Sequence, residues 1–456
     1  MTIQGIRNGA VLQRDPAYNR CDIRLSCNCT GRLKCSMGTL FQISENEWEF
    51  SGIETGGPYT VTFTDDETNI TFQDIYVGDV WLLSGQSNME GAGRMRNADY
   101  LYEQNPIRAV RALYMDDTWR EARPQLHQLW LSSDTAHIIA FQNDLENKKR
   151  LGLRYLDNFP APQIRGVGPG FYFAKKLYES TAVPQGVIPC AVGGAPISMW
   201  TPPDDGVDNY YSAALRRLVL SGKNIRGLFW YQGEGYSGDL TDYQKRFSAM
   251  RDGFATCCGK EVLPAVQVQI FRCFLPGYRN TGAMWSQFRQ FQWDMAHTLP
   301  SLAVVPTNDL ELDDLLHLSA DAQERLGKRA ADAMLYIAME MGSPEPELEF
   351  LTATKDTCVE EWTELCVHYR NLRGNLCSRG IPCGFMLSKN KEDPNYEWIQ
   401  HVGLQENTVH IRCELSLKEL RQRYLWYGFG HDIYCNITDE EDHAIPAMGP
   451  ISLQSI

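Results

Sequence analysis

A chain of 456 residues is too long for one ordinary hydrophobic core and too short for three full-sized domains, so two or three compact units are expected. Its composition, 43% hydrophobic and 22% charged, is that of a globular protein. The 57 acidic residues outnumber the 43 basic ones and give a formal charge of −14 with no long run of one sign, a surface that argues against nucleic acid or an anionic membrane as partner.

The chain opens on MTIQGIRNGAVLQRD, which is polar and lacks the apolar core of roughly 7–15 residues that an export signal needs. No later apolar run approaches the roughly 18 residues of a membrane span, so a cytoplasmic protein is expected. Residues 1–75 read as an N-terminal β-region: short β-prone runs at 21–27, 40–50, 56–65 and 69–77 are broken by turn residues, and none holds a helical period. Cys21, Cys27, Cys29 and Cys35 fall here in alternating segments, without the paired CxxC spacing of a zinc ribbon. The 14 cysteines of the chain are therefore expected to be reduced structural thiols, mostly buried, and no metal site is assigned.

The character changes over 76–343. VGDVWLLS at 77–84 is a short apolar run leading into Gly85 and Ser87, as a buried strand feeding a loop or helix would. Runs at 186–194, 225–233, 263–271 and 302–310 read as further inner strands. Segments 171–179, 210–220, 243–255 and 284–299 carry apolar positions at helical spacing, and 319–341 repeats Ala322, Leu326, Ala330, Ala333, Ile337 and Met341 along one face. Strand and helix in alternation predict an α/β domain, a mostly parallel sheet with helices on both faces and functional loops at the strand carboxyl ends. GSPEPE then breaks the last helix. Residues 344–456 return to short β-like segments, a C-terminal β-rich region that either stands alone or closes onto 1–75.

Gly85-Gln86-Ser87-Asn88-Met89 places a serine where the strand ends and a helix can begin, so that its hydroxyl sits at the sheet rim and nearby N–H groups can face a developing oxyanion. The pentapeptide is not the G-x-S-x-G elbow of α/β-hydrolases, because Met89 stands where the second glycine belongs, and taken alone a polar loop serine reads equally well. A serine nucleophile needs a base. Among nine histidines, His317 in DLLH follows the 302–310 run, and Asp314 three residues earlier can set a carboxylate against its Nδ1–H and fix the tautomer. Asp313 and Glu311 are rival carboxylates, and an incidental histidine in an acidic loop is the plain alternative. Two further strand ends carry Gly193-Gly194, whose backbone N–H groups can approach a substrate oxygen, and WYQGE, whose Gln232 amide offers a second donor.

In order, GDVWLLSGQSNMEG, GGAPISMW, WYQGE and DLLHLSADAQERLGKRAADAM resemble the blocks of the SGNH-type hydrolases, specifically the sialate O-acetylesterase branch. AVLQRD, GGPYTVTF and RQRYLWYGFGHDIYCNIT extend the likeness over nearly the whole chain. The resemblance implies an SGNH-type, flavodoxin-like α/β fold with a β-rich, jelly-roll-like accessory region built from the two ends. It implies a serine esterase acting on O-acetyl sugars through an acetyl-enzyme: Ser87 as nucleophile, His317 with Asp314 as base, and the N–H groups of Ser87 and Gly194 (or Gly193) with Gln232 as oxyanion hole. Gln86, Gly193, Glu234, Trp200 and Tyr236 are candidate substrate contacts, although aromatics at strand ends, such as Trp200 and Tyr236, are more often packing residues. An acetylated mono- or oligosaccharide is the implied partner, no cofactor is required, and homo-oligomerisation is left open. A catalytically silent sugar-binding protein, an acetylesterase for xylan- or mannan-derived oligosaccharides, and a lipase or thioesterase are the alternatives. The chain departs from the branch in DLLHLS, where proline more often follows the histidine, and in QGEGYS, where QGESN is usual; the second departure leaves the sugar open.

Overall fold

The structure, a computed structural model, describes residues 1–95, 100–150, 165–204, 206–274, 281–392, 394–395 and 398–456. The chain divides into two compact units. The first comprises Met1–Gln232, Thr241–Ala265 and Ser319–Ala331, and the second Gly233–Leu240, Val266–Leu318 and Asp332–Ile456.

One strand, Asn69–Gly85, organises the first unit, and its two halves obey different rules. The first half alternates between exposed and half-buried residues while pairing antiparallel with Gly56–Thr64. From Ile75 to Gly85 every residue is buried. There the strand is flanked by parallel neighbours, Gln185–Pro189 on one side and Gly227–Tyr231 on the other. Consecutive strand residues point to opposite faces, and helices cover both. Phe173 of the helix Gly170–Thr181 lies 5.6 Å from Trp81 and 5.0 Å from Phe229, ring to ring. On the other face Phe247 meets Trp230 at 6.3 Å. A strand enclosed in this way has no polar side, which is why 77–84 reads as a continuous apolar run rather than an alternating one. Val110–Leu113 extends the parallel sheet beyond Gln185–Pro189, and Trp119–Glu121 closes that edge antiparallel.

Two of the helices begin where the sequence supplies a side-chain acceptor for the unpaired first-turn N–H groups. Tyr210–Leu220 starts after Asn209, whose side chain accepts from the Ser212 N–H at 3.0 Å, and it buries Tyr211, Ala214 and Leu218 on one face. Gly282–Thr298 starts after Thr281, which accepts from Met284. The expected strand at 186–194 ends at Pro189, although Cys190 and Val192 still donate to Leu83 and Gly85 of the central strand. The helix Thr135–Arg150 and the strand pair at 110–121 escape a reading based on apolar periodicity, since the former is largely polar and the latter is two very short runs.

In the second unit Thr363–Arg370 pairs antiparallel with Glu347–Lys355 and Thr408–Cys413, which in turn pairs with Ile399–Gln405. Phe385–Ser388, Tyr424–Tyr427 and Met448–Ser452 form a second antiparallel sheet. Leu365, Val367, Val409 and Ile411 from the first sheet share one core with Leu387, Leu425 and Tyr427 from the second. Arg289, fully buried on the helix Gly282–Thr298, donates to the carbonyls of Ile270, Phe271, Gly428 and Gly430 at 2.8–3.0 Å, tying three segments together.

The α/β expectation holds: a largely parallel central sheet covered by helices, with further β-rich regions. Among the described residues no helix is long and apolar enough to cross a membrane. The cysteines are less internal than expected. Six of them are buried, while the rest are half-buried or, like Cys358 and Cys377, exposed.

Candidate active site

Ser87 opens the four-residue helix Ser87–Glu90 directly after the central strand. The chain arrives there through Gly85, whose φ is +140° and where a Cβ would stand 2.1 Å from the Tyr231 carbonyl oxygen, so only glycine fits. Backbone hydrogen bonds stitch three strand ends together at this rim. Gln86 N–H donates to Tyr231 O at 2.9 Å, and Val192 N–H donates to Gly85 O at 3.2 Å. The central strand thus lies between one neighbour that leads into Gly193-Gly194 and another that leads into Gln232, a topological switch point of the kind at which open α/β sheets place their ligands.

Within the first unit the sequence-predicted groups therefore converge. A Cβ on Gly193 would lie 3.8 Å from Ser87 Cβ. Gln232 is buried, and its Nε2 reaches the Ala195 carbonyl at 3.4 Å, beside the glycine pair. Its own carbonyl accepts from the Tyr243 hydroxyl, which also receives the Trp230 indole N–H. Gln86 is buried, its carbonyl accepting from Met89 and Glu90. Trp200 is fully buried, with its ring packed on Tyr210 and Trp230.

Three residues that sequence reasoning passed over complete this arrangement. Glu90, one turn beyond Ser87, accepts the Gly193 N–H on its carboxylate, which leaves Gly194 as the glycine whose N–H is not committed to that contact. Gln323, buried on the helix Ala320–Met339, donates to the Asn88 carbonyl at 3.0 Å and anchors the serine-bearing helix from outside. His127 is buried against the backbone of Leu83 and Glu90, and burial pushes its imidazole down to about 3. A ring so reluctant to take a proton is a poor general base near neutrality. Glu90 belongs to the GQSNMEG block and Gln323 to the block that begins at DLLH, but neither had a chemical signal of its own, and His127 stands in a segment without any motif.

In the second unit Asp314 and His317 form a dyad. The Asp314 carboxylate lies 2.9 Å (Oδ2) and 3.1 Å (Oδ1) from His317 Nδ1, and its Oδ1 also accepts the N–H groups of Leu316 and His317. A carboxylate only accepts, so the shared proton sits on Nδ1 and the neutral ring keeps its lone pair at Nε2. Burial raises the Asp314 carboxyl, but the His317 side chain and the two N–H groups outweigh it and hold the acid well below the usual carboxylate range. Of the rival carboxylates, Glu311 pairs with Arg379 at 3.2 Å and Asp313 donates its N–H to the His317 carbonyl. Glu234 is buried in this unit, while Tyr236 is half-buried, its ring 5.7 Å from that of Phe288 and its hydroxyl bonded to the Asp239 carbonyl.

The family profile described as carbohydrate esterase, sialic acid-specific acetylesterase, matches residues 77–336. A "probable carbohydrate esterase" of Arabidopsis thaliana is 26% identical over 276 residues, covering 56% of this chain and 90% of that protein. The human sialate O-acetylesterase is 25% identical over 233 residues, and the match spans 43% of this chain but only 40% of the human protein. A crystal structure of a carbohydrate acetylesterase from Xanthomonas citri superposes with a TM-score of 0.68 at 18% identity, covering 98% of both chains, and so shares the fold along its length. With more than half of its length matched, the chain belongs to the carbohydrate esterase family of sialic acid-specific acetylesterases.

Proposed function

We propose that the protein hydrolyses O-acetyl esters on a mono- or oligosaccharide by a serine mechanism, within an SGNH-type, flavodoxin-like domain over residues 76–343. The observation that carries this reading is Ser87 at the start of a helix on the sheet's switch point, with Gly193 against it and the Gln232 loop stitched alongside. The Asp314–His317 dyad supplies the base that such a serine requires.

His317 Nε2 takes the Ser87 proton as Oγ attacks the acetyl carbonyl carbon. The Ser87 and Gly194 N–H groups and the Gln232 amide hold the oxyanion. Collapse breaks the bond to the sugar oxygen, which leaves with the proton from the imidazolium. Water then gives its proton to the same imidazole and attacks the acetyl-enzyme, releasing acetate and restoring Ser87.

The test is direct. Rapid quenching during turnover of an acetylated sugar, followed by peptide mass spectrometry, should find one acetyl group on the peptide containing Ser87. Ser87→Ala should lower acetate release by several orders of magnitude with the fold intact. A variant that keeps more than about a tenth of wild-type release would remove Ser87 from the nucleophile's role.

A further inference from the structure

The strand Thr363–Arg370 buries alternate residues, so Glu364, Cys366 and His368 share its non-core face. In the neighbouring strand Thr408–Cys413, His410 stands directly opposite Cys366 and points to that same face. His410 Nδ1 lies 3.1 Å from Glu364 Oε1 and 3.6 Å from Cys366 Sγ. Three donor atoms of three kinds, oxygen, sulfur and nitrogen, thus converge within 4.8 Å of one another.

These separations suit a shared tetrahedral cation. With bonds of about 2.3 Å to sulfur and about 2.0–2.1 Å to nitrogen and oxygen, the edges of a zinc tetrahedron are about 3.5 Å from nitrogen to sulfur and about 3.3–3.4 Å from nitrogen to oxygen. Glu364 pairs within the cluster, with His410, rather than with the guanidinium of the arginine beside it. Arg412 faces Glu364 in register and would be its natural partner, yet its guanidinium makes a bidentate contact with Asp356 at 2.5 and 2.9 Å and lies over Trp362. His368 is held aside: its Nδ1 and Nε2 lie 2.9 and 3.2 Å from the hydroxyls of Thr408 and Thr352, and its ring stacks on Phe350.

We propose that Glu364, Cys366 and His410 form a binding site for a borderline-soft divalent cation, zinc foremost, with water as the fourth ligand. Cys366 binds as the thiolate, its proton passing to solvent as the metal–sulfur bond forms. The metal links two strands of the sheet and stabilises it by mass action.

Cobalt(II) is the probe, because thiolate ligation gives it a charge-transfer absorption that carboxylate and imidazole do not. Protein stripped with EDTA and kept in a phosphine reductant should take up one equivalent of cobalt(II) with that band, lose the band on adding zinc(II), and melt at higher temperature with zinc than without. Cys366→Ser should abolish the band. Glu364→Gln and His410→Asn, both tolerable on a half-exposed face, should each weaken binding at least tenfold, while Cys377→Ser at an exposed thiol elsewhere should leave it unchanged. No band in the wild-type protein, a band that survives Cys366→Ser, or one abolished by Cys377→Ser would overturn the proposal.

Discussion

His443 is buried in the second unit between two carboxylates, with Asp332 at 3.3 Å from Nε2 and Glu345 at 3.2 Å from Nδ1. Arg373 stands behind them, 3.6 Å from Glu345. Burial and Arg373 disfavour the imidazolium, but the two carboxylates prevail and raise the ring from 6.5 to about 9. At 1.36 kcal/mol per pKa unit, that difference corresponds to about 3 kcal/mol of stability. Because the folded-state pKa is the higher one, the contribution is complete below the unfolded value and is lost as pH rises through about 9. Roughly half remains at about pH 8 and almost none at about pH 10. Urea unfolding of wild type and His443→Gln, followed by a probe in the second unit, isolates the effect. The stability gap between them should be about 3 kcal/mol larger at about pH 6 than at about pH 10. A gap independent of pH, or one that widens with alkali, would refute the assignment of a buried imidazolium.

The remaining predictions concern the proposed site. Asp314→Asn and His317→Ala should be strongly non-additive in turnover, because each alone leaves Ser87 without an oriented base; additive losses in the double variant would separate the two roles. The depressed Asp314 carboxyl should keep the dyad's acceptor ionised well into acid, so carbon-13 NMR of labelled aspartate should show it titrating below the ordinary aspartates. Gln232→Ala should lower kcat by roughly 10²–10³ with a smaller change in KM, since an oxyanion donor acts in the transition state; a raised KM at unchanged kcat would make it a substrate contact instead. Gln323→Leu should cost about 0.5–1.5 kcal/mol by removing the hydrogen bond to the Asn88 carbonyl, and should lower kcat through the serine-bearing helix; unchanged kcat would detach that anchor from catalysis.

Most of the α/β layering was legible because burial writes itself into periodicity. Tyr210–Leu220 matches its expected span, and Gly170–Thr181, Gly282–Thr298 and Ala320–Met339 differ from theirs by a few residues at the ends. The inner strands are shorter than their apolar runs, as at 186–194 and 302–310, because apolar or small residues continue past the last paired residue into segments that are still buried, 190–192 and 306–310. Thr135–Arg150 is not legible by periodicity because most of its residues are polar and its sequence carries no sustained apolar stripe. Ser87, Gly193, Gly194 and Gln232, the groups proposed for the site, were legible as polar or glycine positions at strand ends, and the fold brings them to one rim of the sheet. Gln323 and His127 were not, because a residue that acts by bonding a backbone carbonyl or filling a buried niche needs no motif, only a position that the fold creates.

The departure of GQSNM from G-x-S-x-G has a physical counterpart in where the close contacts fall. In the α/β-hydrolase elbow the glycine two residues after the serine admits a close neighbour. Here that position is Met89, fully buried, and the tight approaches lie on either side of the helix instead. Gly85 meets the Tyr231 carbonyl, and Gly91, at φ +109°, would bring a Cβ within 2.4 Å of the Gly166 carbonyl. Between these two points the helix Ser87–Glu90 is fixed from outside by Gln323 at Asn88, and its Glu90 carboxylate reaches the Gly193 N–H. A helix of four residues has almost no stability of its own. Its serine is therefore oriented by the strands and loops that grip it, so a change at Gly85, Gly91, Glu90 or Gln323 acts on the position of Ser87, the proposed nucleophile, without touching its hydroxyl.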